Sequence, residues 1–205
     1  MILNAKLRIA YKLFFGLLGF AAVVTEIATL AERGVFDALN FFSYFTIQNN
    51  VLVSGALLLG ALAVASGKKS RALDVFRGFT TVFIGVVGIG FAMLLSGMEG
   101  VVLTAAPWDN TVLHYIIPIA VIIDFLIDPP KTKLRFKRSL AWLLYPAAYL
   151  AYTMIRGAVT GWYPYPFLNP AKSSYEAIVL TVVGLLVLGV LLIWGVTAVS
   201  RRKTK

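Results

Sequence analysis

Six long apolar runs, separated by short polar stretches, divide the chain at about 9–31, 41–66, 73–96, 110–127, 139–156 and 173–200. A hydrocarbon layer of about 30 Å takes roughly 20 apolar residues of helix, so the pattern predicts an all-α, six-transmembrane-helix bundle forming one domain over 1–205. The second run is the exception to uniform hydrophobicity. At about 100° per residue, Ser43, Thr46, Asn49 and Asn50 fall on one helical face and Gln48 points away. A polar stripe at that depth has to face protein or enclosed water, because lipid satisfies none of its hydrogen bonds. Elsewhere the punctuation is plain: Gly67-Lys68-Lys69-Ser70-Arg71 forms a turn, and Asp128-Pro129-Pro130 stops the fourth helix. Gly88-Ile89-Gly90 lies inside an apolar run with no strand before it, so close helix packing is its expected use and nucleotide binding is not.

Composition agrees with this pattern. Of 205 residues, 60% are hydrophobic and the mean hydropathy is +0.85, against roughly 45–50% apolar residues in soluble domains. The net charge of +10 would suggest nucleic acid in a soluble chain. Here the basic residues cluster at the amino terminus (Lys6, Arg8, Lys12), the 2–3 turn, the 4–5 loop (Lys131, Lys133, Arg135, Lys137, Arg138) and the carboxy terminus, while the loop with Glu99 and Asp109 has none. This alternation is the positive-inside pattern. It predicts both termini in the cytoplasm and no nucleic-acid partner. The first helix starts like a signal peptide, but its length and Glu26 argue for retention in the mature protein. No cysteine is present and there is one histidine, His114, so thiol chemistry, paired-histidine haem ligation and multi-histidine zinc sites within one chain are excluded. No metal or cofactor is expected.

With this topology the polar groups fall into layers. Thr46 lies about 8 Å and His114 about 6 Å below the external face at 1.5 Å per residue, and Glu26 and Arg156 come near the same level from two other helices. Glu26 can pair with Arg156 or with His114. Asp124, about 15 Å further along its helix than His114, is expected to pair with Arg135 or Lys137. Thr46 taken alone reads as an ordinary helix-packing threonine, bonded back to a carbonyl or across to a neighbour, as most membrane threonines are. Trp142, Tyr145, Tyr149, Tyr152 and Arg156 make one stripe, either helix packing or the wall of a lipid-chain pocket. A hydroxyl needs a base to become a nucleophile, and the neutral imidazole available is that of His114. On this reading Thr46 and His114 are catalytic, Asn110 orients the ring, Asn49 and Asn50 donate to an oxyanion, and Ser43, Glu26, Tyr152 and Arg156 contact substrate. Pro118 frees the His114 carbonyl and opens space beside the ring.

Three segments also carry a resemblance: Phe42-Ser43-Tyr44-Phe45-Thr46-Ile47-Gln48-Asn49-Asn50, Leu113-His114-Tyr115-Ile116-Ile117-Pro118, and Arg156-Gly157 with Gly161-Trp162-Tyr163-Pro164-Tyr165-Pro166-Phe167. They resemble the bacterial branch of the androgen-induced-gene family, which includes the androgen-dependent regulators of tissue factor pathway inhibitor. The resemblance covers nearly the whole chain and implies residence in a bacterial cytoplasmic (inner) membrane. It implies a six-helix membrane hydrolase in which Thr46 is the nucleophile and His114 the base, acting on membrane lipid esters of the fatty acid–hydroxy fatty acid kind. The rival expectation is a non-enzymatic lipid-binding or transport protein with a polar head-group site. Transport would require polar residues through both leaflets, and the inner half of the sequence looks poorer in them.

Overall fold

A computed structural model of the protein describes residues 4–97 and 104–201. Glu99 and the basic tail Arg202–Lys205 lie outside the described residues. The architecture is all-α. Among the described residues, five helices are long and apolar enough to cross a membrane: α1 (Ala5–Glu32), α3 (Phe45–Ser66), α4 (Arg71–Leu94), α5 (Pro107–Ile127) and α7 (Tyr175–Val199). The short α2 (Ala38–Phe42) precedes α3. Helix α6 (Leu144–Thr160) follows a 3-10 turn, Leu140–Leu143. Helix α1 packs on α3, α3 on α4, and α4 on both α5 and α7. Val53, Val82, Phe83, Ile84, Leu113 and Ile117 are almost wholly buried between them. The outward faces are apolar, with Met93, Leu144, Leu180 and Trp194 largely exposed, a surface compatible with a membrane protein.

The second apolar run is not one helix. Asp37 caps α2 by accepting from the Asn40 amide at 2.8 Å, the chain turns at Ser43, and Tyr44 is extended at φ −76°, ψ 125°. Helix α3 therefore starts at Phe45, and the expected helix over 41–66 is corrected to two. The cause is local: Asp37 and the Ser43 turn satisfy the backbone ends that a continuous helix would have carried through.

At the far end of the bundle, charges expected at the surface are inside. Lys12 is fully buried. It pairs with Asp124 and reaches Asp128 at 3.2 Å. Arg77 bonds Asp124 at 2.9 Å and the Asp128 carbonyl at 2.7 Å, while Arg8 bonds Asp128 at 2.8 Å. Asp124 thus pairs with Lys12 and Arg77 instead of Arg135 or Lys137, because those side chains reach it within the bundle. Arg8 and Lys12 hold α1 to α5 and do not flank α1 as free surface charges. Gly60 supplies the room: a Cβ there would stand 3.3 Å from the Lys12 stem. This end of the bundle is therefore richer in polar groups than the sequence suggested, with Arg8, Lys12 and Arg77 gathered on Asp124 and Asp128.

Candidate functional site

The break before α3 places Thr46 in the first helical turn. Most helical hydroxyls here bond back to a carbonyl three or four residues earlier: Thr81 to Arg77 at 2.7 Å, Thr160 to Arg156 at 2.8 Å, Thr197 to Trp194 at 3.0 Å. Thr46 does not. The Phe42 carbonyl takes the Gln48 amide at 2.8 Å, and the Ser43 carbonyl takes the Tyr149 hydroxyl at 2.9 Å. The partner of Thr46 Oγ1 is the Tyr165 hydroxyl at 3.4 Å, which also accepts from the Thr46 amide at 3.2 Å. First-turn amides have no carbonyl of their own helix to bond. Among the described residues nothing accepts from the Ile47 N–H. The Thr46 hydroxyl bonds across to a neighbouring side chain, as a packing threonine can, and not back to a carbonyl.

His114 sits in a π-helical turn, Val112–Ile116, in which the Ile117 amide reaches back five residues to the Val112 carbonyl. Pro118 has no N–H, so the ladder is interrupted beside His114, and π-turns absorb such interruptions. Gly88 of α4 lets this turn approach: a Cβ there would meet Pro118 at 2.8 Å and the His114 carbonyl at 3.4 Å. His114 Nδ1 lies 3.0 Å from the Asn110 carbonyl. A carbonyl only accepts, so Nδ1 carries the proton and Nε2 of the neutral ring keeps its lone pair. The ring is 5% exposed and stacks on Phe91, centroids 4.0 Å apart.

Two cavities meet at Thr46. One, about 310 Å³, is polar and is bordered by Glu26, Arg33, Asp37, Asn40 and His114. The other, about 270 Å³, is apolar and lies among Val86, Gly90, Leu150, Leu185 and Gly189 of α4, α6 and α7. Thr46, Leu95 and Tyr165 border both. The Ser54 and Thr153 hydroxyls are buried without partners, but they line neither cavity. Thr46 and His114 share the polar cavity and are not hydrogen-bonded to each other. No protein-family model, curated protein or solved structure matches this chain. The chemistry is therefore argued from these residues.

Several expected roles are corrected. Glu26 pairs with neither Arg156 nor His114; its carboxylate accepts from the Ala105 amide at 2.7 Å and 2.9 Å, fixing the entry to α5. Arg156 donates to Asn40 Oδ1 at 2.6 Å and lies over the Trp162 ring at 4.5 Å, one layer behind the polar cavity. Asn110 holds the imidazole by its backbone carbonyl, while its side-chain oxygen has no partner. Asn49 spends its amide hydrogens on the Phe45 carbonyl at 2.8 Å and the Tyr145 hydroxyl at 3.3 Å. Asn50 spends its own on the Thr46 and Leu113 carbonyls at 2.9 Å and 3.2 Å. Neither amide is left for an oxyanion, and Asn50 instead ties the Thr46 turn to the residue before His114. Ser43 bonds Tyr152 at 2.7 Å, and neither lines either of these two cavities. Gln48, expected to point away, accepts from Tyr145 at 2.9 Å because α6 covers that side.

The aromatic stripe divides. Tyr145 and Tyr149 pack on Phe45 and Trp142 on Phe79. The apolar cavity takes Tyr149 from the stripe, and otherwise Leu143, Pro146, Ala147 and Leu150 of the neighbouring face. Residues that sequence reasoning missed are Tyr165, Arg33 and Phe91. Tyr165 lay within the aromatic connection that carried the resemblance, where it reads as one of several interfacial rings.

Proposed function

We propose that the chain is a six-span membrane hydrolase of lipid esters, related to the androgen-induced-gene family, with both termini in the cytoplasm of a bacterium. The sixth span is α6. Its 17 residues extend about 26 Å, and the 3-10 turn before it adds about 8 Å, enough for a hydrocarbon layer of about 30 Å. Lys68, Lys69, Lys131, Lys133 and Arg138 then face the cytoplasm with the Lys12–Asp124 end, and the two cavities fall in the outer leaflet.

In the reaction, His114 Nε2 takes the Thr46 hydroxyl proton as Oγ1 attacks the ester carbonyl. The Ile47 amide, next after the nucleophile and on the polar cavity wall, donates to the oxyanion. The tetrahedral intermediate expels the alcohol, which takes the proton from the imidazolium. Water, deprotonated by the same ring, then releases the acid and restores Thr46. The apolar cavity holds an acyl chain, the polar cavity holds the remainder of the ester near Arg33, and Nε2 and Oγ1 close up once substrate is seated. The observation that carries this reading is the Thr46 hydroxyl, without a carbonyl to bond, at the junction of an apolar and a histidine-bearing cavity. The test is labelling by an alkyl fluorophosphonate: Thr46→Ala abolishes it and His114→Ala slows it at least 100-fold. Equal labelling of wild type and Thr46→Ala refutes the assignment.

One observation favours a second reading, a non-enzymatic lipid-binding protein: Thr46 bonds Tyr165 and not His114. Purified protein carrying stoichiometric lipid with its ester intact, and inert to the probe, would establish that reading instead.

A further inference from the structure

We propose that the Tyr165 hydroxyl is a third catalytic group, donating its hydrogen bond to the Thr46 oxygen and stabilising that oxygen as its proton leaves. The inference rests on the hydrolase reading and adds to it a residue that neither the sequence motifs nor the Thr–His pair required.

The direction of the hydrogen bonds carries the argument. The Thr46 backbone N–H can only donate, and at 3.2 Å it donates to the Tyr165 oxygen. Either hydroxyl can be the donor across the 3.4 Å between Tyr165 and Thr46 Oγ1; the phenolic proton is turned away from the amide, and the proposed direction is from the phenol to Oγ1. The Thr46 proton is then the free end of the chain, available to a base in the polar cavity. Donation by the amide polarises the phenol and strengthens it as a donor. The 3.4 Å separation is longer than the roughly 2.7–2.8 Å usual for O–H···O, and negative charge on Oγ1 shortens such bonds. Burial, with the nearby Tyr44 adding to it, raises the Tyr165 pKa above 10.0, so the group remains a donor at working pH.

The ring is built to stay in place. Tyr165 is extended, φ −131°, ψ 137°, as the residue before a proline prefers. It stacks on Phe167 at 5.1 Å with 7° between planes and meets Tyr44 edge-on at 5.8 Å. A purely structural role would be that of a helix cap: Tyr44 offers α3 no side-chain cap, and Tyr165 accepts from the second residue of the helix in its stead. Capping uses the oxygen as acceptor. It does not require a proton aimed at Oγ1.

The experiment measures alkyl fluorophosphonate labelling as a saturating rate constant and a half-saturating concentration. In that reaction a bond forms from Thr46 Oγ1 to phosphorus, the phosphorus–fluorine bond breaks, fluoride leaves, and the hydroxyl proton passes to His114; Tyr165 keeps its own. Tyr165→Phe is expected to lower the saturating rate roughly 100-fold while half-saturation moves less than about threefold. Phe167→Leu, which loosens the stack but leaves the hydroxyl, is expected to keep the saturating rate. 3-Fluorotyrosine at 165, a stronger donor and weaker acceptor of the same shape, serves if the Phe variant does not fold; labelling as fast as wild type or faster is expected. A tenfold slowing by fluorotyrosine, an equal loss in Phe167→Leu, or wild-type labelling by Tyr165→Phe overturns the proposal. If Thr46→Ala abolishes labelling while Tyr165→Phe labels normally, only this inference falls; if Thr46→Ala labels normally, the hydrolase reading falls with it.

Discussion

Replacing Lys12 by Met tests the deepest feature of the fold. Methionine keeps the unbranched stem that lies against Gly60 and removes the ammonium from between Asp124 and Asp128. Breaking a buried ion pair by removing one partner costs roughly 3–5 kcal/mol, because the other charge stays buried. Arg77 still bonds Asp124 at 2.9 Å and Arg8 still bonds Asp128 at 2.8 Å, so the loss falls at the low end, about 3 kcal/mol. For a chain of this size each kcal/mol moves Tm by roughly 2–4 °C, which gives a fall of about 6–12 °C for detergent-purified protein. Adding Asp124→Leu breaks the remaining 2.9 Å pair with Arg77 and leaves that guanidinium short of a carboxylate, so the double variant melts below the single one. Asp124 is about 15 Å along α5 from His114, so fluorophosphonate labelling in the cold is unchanged in both variants. A single variant melting within about 2 °C of wild type would refute the burial of Lys12 and with it the register of α1 against α5.

Three shorter predictions follow from other parts of the fold. Gly189 faces the apolar cavity, and Gly189→Leu fills part of it; excluding two or three methylenes at roughly 0.8 kcal/mol each reduces the preference for a long-chain over a short-chain fluorophosphonate about 30-fold, and an unchanged preference removes the acyl chain from that cavity. Asn50→Ala leaves the Leu113 carbonyl without its side-chain donor and costs about 1–3 kcal/mol, read as a lower Tm. Burial alone would raise the Asp128 pKa, but Lys12, Arg77 and Arg8 outweigh it and hold it below 3.8. A carboxyl whose folded value lies below its unfolded one contributes stability that is full above the unfolded pKa and is lost as pH falls through the folded one. Tm should therefore drop below about pH 4 with a part that Asp128→Asn abolishes; identical acid profiles refute it.

The apolar runs that define the long helices were legible because each falls within or above the roughly 17–25 residues a bilayer span takes. Glu26, Thr46 and His114 border one cavity, and their common level followed from counting residues inward from helix ends. Arg156 missed the cavity because counting gives height and not direction around the bundle. The ionic cluster was illegible for a different reason. Hydropathy treats Lys6, Arg8 and Lys12 alike, yet the partner that takes Lys12 inside is 112 residues away, and only the pairing of α1 with α5 separates an interior lysine from an interfacial one.

The break at Tyr44 shows how one local feature both defeats the face arithmetic and creates the chemistry. Had 41–66 been a single helix, Thr46 would have had the Phe42 carbonyl four residues back, and its hydroxyl would have bonded there as Thr81 bonds Arg77. Ending α2 at Phe42 and restarting at Phe45 gives the Phe42 and Ser43 carbonyls to Gln48 and Tyr149 and strips the first-turn amides of helical partners. A hydroxyl and an amide, neither bonded to a carbonyl, then stand on adjacent residues, Thr46 and Ile47, at the wall of a cavity that also holds a histidine with one nitrogen already bonded. A nucleophile needs the first, an oxyanion the second and proton transfer the third. Removing the break removes all but the histidine, so the turn at Ser43-Tyr44, and not the polar stripe as such, is the structural origin of the candidate site.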